Sequence, residues 1–117
     1  MTTSYLLVTA IATVLNGLSG VAAILRFRPI LPGMAAVGVP VSWLVFPIGT
    51  LKLAGALGLL AGLALPVLGT AAAIGLVLYF VCAVYTHVRA ADYSAQFGLA
   101  VLFLAVDSAA LALSLYR

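Results

Sequence analysis

The chain has 117 residues, of which 67% are hydrophobic and 6% charged, and its mean hydropathy is +1.37; a soluble domain carries about a quarter charged residues, so a soluble globule is excluded. Five basic residues against two aspartates give a net charge of +3, too few charges for a nucleic-acid surface. The single cysteine, Cys82, excludes an internal disulfide and a multi-thiolate metal site.

A span of about 20 apolar residues covers the roughly 30 Å hydrocarbon core of a bilayer. This length therefore accommodates four helices with short connections. A β-barrel would show alternating segments of about ten residues, whereas this chain has long Leu/Ala/Val/Gly runs. The expected fold is an all-α integral membrane protein, a four-transmembrane-helix bundle forming one membrane domain over 1–117, with spans at about 5–25, 41–62, 66–88 and 95–115. The start, Met1 to Tyr5, has no basic segment and no small-residue cleavage site follows, so the first helix is expected to be retained.

In the first span Thr9, Thr13, Asn16, Gly20 and Ala23 recur at intervals of three and four residues and share one helical face. Small and hydroxyl-bearing faces of this kind pack helix against helix in membranes. The connection 26–40 holds three prolines, two glycines and two arginines and is read as an irregular connector lying at the interface. Pro40 suits the first turn of the second span, and Pro47 predicts a bend a turn before Lys52. Lys52 shares its face with Gly49, Gly55, Ala56 and Leu59, which turns it towards protein and away from lipid. An intramembrane charge is costly and needs a partner or a watery cavity.

The third span carries Ala72, Gly75, Tyr79, Cys82 and Thr86 on a small and polar stripe, and 85–94 is the most polar stretch of the chain. The fourth span has Asp107 at its centre. Arg26, Arg28 and Arg89 lie on the side of the two polar loops, and Arg117 lies opposite. The positive-inside rule therefore puts loops 26–40 and 88–95 in the cytoplasm and both termini outside.

Counting about 1.5 Å per residue from the polar-loop side brings Lys52, Asp107, Asn16 and Tyr79 to similar depths near the midplane. The expectation is an ion pair between Lys52 and Asp107, the candidate catalytic groups, with Asn16 and Tyr79 as hydrogen-bonding neighbours in a ligand site. The bland reading of the same layer is structural glue between helices. His87, beside Arg89 and near Asp92, is a candidate for ligand or proton exchange because its ordinary pKa is near neutrality. Trp43 is an interfacial aromatic that could stack on a ligand. One histidine, one cysteine and distant carboxylates match no metal spacing.

Three pieces, Gly38-Val-Pro40, Gly49-Thr-Leu-Lys-Leu-Ala-Gly-Ala-Leu-Gly-Leu-Leu60, and Tyr79 through His87-Val-Arg-Ala-Ala-Asp92, together resemble the DoxX-like family of small bacterial membrane proteins. The resemblance is good over about residues 36–93 and loose in the outer helices. It implies a four-helix bundle in the bacterial inner membrane and, for some relatives, association with redox enzymes that pass electrons to quinone. In the family pattern the residue after Gly49-Thr-Leu is usually acidic; here it is Lys52, which removes any role needing a carboxylate there.

These features lead to a small inner-membrane protein that binds a hydrophobic ligand, a quinone, isoprenoid or lipid, at the polar layer. Membrane lipids are its surroundings, with a quinone-linked redox enzyme and a second copy of the chain as expected partners. No haem, iron–sulfur or flavin motif is present, so no covalently bound cofactor is expected and quinone is the candidate cofactor. The alternatives are a membrane acid/base enzyme (isomerase, cyclase or hydrolase) using Asp107 and Lys52 and a small dimeric transporter. The transporter is weakened by Asn16 standing where such a protein needs a carboxylate.

Overall fold

The computed structural model describes residues 2–25, 34 and 38–116. Arg26, Arg28 and Arg117, and with them most of the 26–40 connector, lie outside the described residues. The described residues hold no strand, and their α-helices are α1 at Thr3–Ile24, α2 at Thr50–Ala61, α3 at Pro66–Arg89 and α4 at Ala95–Ser114. Thr2 caps α1 by accepting a hydrogen bond from the Tyr5 amide at 3.1 Å. Pro66 opens α3, where its missing N–H costs nothing.

The second span departs from one continuous helix over 41–62. A 3-10 turn, Val41–Leu44, leads into a π-type segment, Val45–Gly49, in which Phe46 is extended (φ −142°, ψ 132°) and the Phe46–Pro47 peptide is cis; the regular α-helix begins only at Thr50. Pro47 signals a bend from the sequence, but the irregular stretch is two turns long and starts well before it. It is tolerable at this depth because it packs on α1, and irregular backbone in a bilayer must be covered by protein or line a cavity.

The four helices close a ring in which α1 packs on α2 and α4, and α3 packs on α2 and α4. Neighbours are antiparallel, as the side-chain registers show. On α1 and α2, Gly20 meets the backbone of Leu53 while Gly17, lower down, meets Ala56. Between α2 and α3, Gly55 faces Leu76, Gly58 faces Ala72 and Gly62 faces Gly69. Between α3 and α4, His87 stands near Phe97, Phe80 against Phe103, and Thr70 bonds Ser114. Small residues let these helices approach closely, which supplies the dispersion contacts that hold a bundle together when lipid is as apolar as the core.

The core is built from Ala12, Leu59, Ala73, Leu76, Phe80, Ala100 and Ala110. The α1 face predicted from spacing is inside, with Thr9, Asn16, Gly20 and Ala23 buried, and so are Gly49, Ala56 and Leu59 around Lys52. The outer surface carries Leu7, Ile11, Val14 and Leu18 of α1, Leu57 of α2, Val67 and Leu78 of α3, and Leu102 of α4, all exposed. Helices α1, α3 and α4 are each long and apolar enough to cross a membrane, and Phe46–Ala61 forms a shorter apolar stretch. A bundle greasy outside, with its polar groups inside, is a multi-pass membrane protein.

Candidate functional site: a cavity with a lysine at its inner end

The four midplane groups separate into two sites. Asn16 Nδ2 donates to Asp107 Oδ1 at 2.7 Å and to the Ala12 carbonyl at 2.8 Å, tying α4 to α1. Asn16 and Asp107 are fully buried, and Asn16 Oδ1, Asp107 Oδ2 and the hydroxyls of Thr9 and Thr13 have no hydrogen-bond partner among the described residues.

Lys52 does not pair with Asp107. Its Nζ donates to Ser19 Oγ at 2.9 Å and stands 5.7 Å from the centre of the Tyr79 ring and 5.6 Å from that of Phe80. The reason is the ring order: Lys52 belongs to α2 and Asp107 to α4, and these two helices stand diagonally across the bundle. Lys52 is also only two residues past the start of regular helix at Thr50, so counting depth from Val41 at an α-helical rise misplaces it. Its Cβ is level with Gly20, four residues and about 6 Å nearer the polar end than Asn16.

A cavity of about 520 Å³ occupies the polar-loop half of the bundle, with Lys52, Ser19, Tyr79 and Phe80 in its wall and His87, Trp43 and Gln96 further out. The irregular chain over 38–49 supplies part of its wall through Val39, Trp43, Pro47 and Ile48. Leu51, Leu78 and Leu99 line it and are about half exposed, so it opens sideways between helices. The α3 stripe read from the sequence acquires a purpose here: Gly75, Tyr79, Cys82 and Thr86 line the cavity, while the buried packing face of α3 is Gly69, Ala73, Leu76 and Phe80. Gly75 and Cys82 are exposed.

At the outer end, His87 Nδ1 and Asp92 Oδ2 are 2.9 Å apart, the one side-chain ion pair among the described residues. The chain reverses after α3 through Ala91, whose φ is 53°, with the Asp92 amide donating to the His87 carbonyl at 2.9 Å. A left-handed residue after a helix end is a common stop, more often glycine. It brings Asp92 back beneath His87. Burial pushes the Asp92 carboxyl up, but hydrogen bonds from His87 and Ser94 and the His87 charge outweigh it, leaving the carboxyl below its ordinary value.

Thus the structure brings Lys52, Tyr79, Trp43 and His87 to one cavity and puts Asn16 and Asp107 in a separate buried pair outside its wall. Sequence reasoning missed Ser19, the hydrogen-bonding partner of Lys52. Its signal was present: Ser19 is the next polar residue one turn beyond Asn16 on α1.

The model of the DoxX-like family matches residues 7–110, from the first turns of α1 to near the end of α4. No curated protein and no solved structure matches the chain.

Proposed function

Because the chain belongs to the DoxX-like family, we propose that it is a small bacterial inner-membrane protein that binds a hydrophobic ligand, a quinone, isoprenoid or lipid, in the cavity beside Lys52. The observation that carries this reading is the cavity itself. Its volume of about 520 Å³ lies within the 300–1,000 Å³ usual for small-molecule sites, and an apolar wall with few convergent polar groups is their usual composition. Leu51, Leu78 and Leu99 at its margin suit a ligand that enters from the lipid. Acid/base catalysis by Lys52 with Asp107 is disfavoured, because Asp107 is not in the cavity wall.

An accessory role in redox metabolism, with a quinone-linked enzyme as partner, rests on the family resemblance. In this reading the polar end, with Arg26, Arg28 and Arg89, faces the cytoplasm.

The test is to fill the cavity. A Cβ built on Gly75, which lines it, meets no atom within 4 Å, so the side chain of Gly75→Phe starts into open space at the cavity wall. Native mass spectrometry of protein extracted in mild detergent is expected to find an amphiphile on the wild type and little or none on Gly75→Phe, at unchanged melting temperature. Equal occupancy in both proteins would sink the reading.

A further inference from the structure

The whole chain contains two acidic side chains, Asp92 and Asp107, and both are engaged elsewhere. Asp92 Oδ2 is held by His87, and Asp107 Oδ1 by Asn16 on the far side of the bundle. Among the described residues, Lys52 has a serine hydroxyl and two aromatic faces. These partners are neutral: a ring face within about 6 Å attracts a cation, and a hydroxyl solvates it, but neither cancels its charge. A desolvated ammonium in a bilayer is stable only against a counter-charge or water. No side-chain carboxylate of this chain remains to supply one, and the ammonium is part of a cavity wall lined mainly by apolar side chains.

We propose that the ligand of this cavity is an anionic amphiphile, an apolar chain ending in a carboxylate or phosphate oxygen that accepts hydrogen bonds from Lys52 Nζ. This rests on the reading of the cavity as a hydrophobic-ligand site and narrows it: the protein selects a negatively charged head over a neutral one. The head sits at Lys52 and Ser19, and the tail leaves past Leu51 and Leu78, which line the cavity and are exposed.

The single tryptophan of the chain, Trp43, is half exposed and lines the same cavity, so the full-length protein carries its own reporter. In nanodiscs of zwitterionic lipid, quenching of Trp43 is titrated with a brominated fatty acid, its methyl ester and a brominated alkyl phosphate. The expected result is that an anionic probe binds at least about tenfold more tightly than the ester, the size of effect a close charge pair supplies. Lys52→Met should bring acid and ester to within about twofold, and Lys52→Arg, which keeps the charge, should preserve the preference. Retained ester binding by Lys52→Met shows that this variant is folded.

The relative affinity of fatty acid and alkyl phosphate identifies which head group the site takes. Equal binding of acid and ester by the wild type, or a preference that survives Lys52→Met, overturns the proposal while leaving the hydrophobic-ligand reading intact. Quenching by none of the three removes both.

Discussion

Asp92 is the chain's carboxylate outside the membrane spans, and its environment has a consequence for acid stability. Its folded-state pKa lies below the ordinary 3.8, so the stability contributed by its contacts with His87 and Ser94 is fully present above pH 3.8. It is lost as the pH falls through the lower, folded value. Asp92→Asn should therefore melt at a lower temperature than the wild type at neutral pH, and the two melting curves should converge in acid below that point. Thermal unfolding in detergent, followed by circular dichroism across the pH range, measures this. A gap that persists undiminished in acid would mean that the carboxylate charge is not what holds the turn. At this scale the sequence was only partly legible. Helical spacing showed that Lys52 and Asn16 point inward, because small residues recur around them. It could not show which inward groups meet, because partner choice depends on ring order and on the length of the irregular segment before Thr50.

The elements are held by backbone approach, and the tightest contact is between α2 and α3. A Cβ on Gly62 would land on the backbone of Gly69, and one on Gly58 would lie 2.7 Å from the Ala72 Cβ. Gly62→Ala should accordingly destabilise the bundle by about 1–3 kcal/mol, the usual cost of overpacking. Gly98→Ala, in α4 with open space around it, should be neutral or stabilising by up to about 1 kcal/mol through helix propensity. Melting temperatures of the two variants decide it: Gly62→Ala as stable as Gly98→Ala would mean that the Gly62–Gly69 approach is not a tight contact. Glycine and alanine spacing made α1 and α2 readable as packing helices. The same periodicity in α3 was ambiguous, since Ala72 packs on Gly58 of α2 while Gly75 and Cys82 of the same stripe line a cavity. A row of small residues has the same spacing whether it touches a helix or bounds a space.

For the whole molecule, composition and the long unbroken apolar runs together were enough to establish a helical membrane bundle: 67% hydrophobic residues call for lipid, where only helices and closed barrels satisfy the backbone, and runs without alternation exclude the barrel. The ring of antiparallel neighbours puts Thr3 and Ser94 at opposite ends, and the proposed orientation puts Ser94 inside. In a Cys82→Ser background, Ser94→Cys in intact cells should resist a membrane-impermeant maleimide and react once the membrane is opened, while Thr3→Cys should react from outside. The reverse pattern inverts the orientation.

The short α2 gives this bundle unequal sides. Its 12 residues rise about 18 Å, against about 33 Å for the 22 residues of α1. Phe46 and Trp43, both exposed, lie just beyond its start, and aromatic rings favour the headgroup level. The apolar stretch on that flank, Phe46–Ala61, is shorter than the other three spans, and local thinning is one way a bilayer accommodates such a mismatch. Thinning at that flank would bring lipid head groups closer to the level of the Lys52 ammonium than they come elsewhere around the protein.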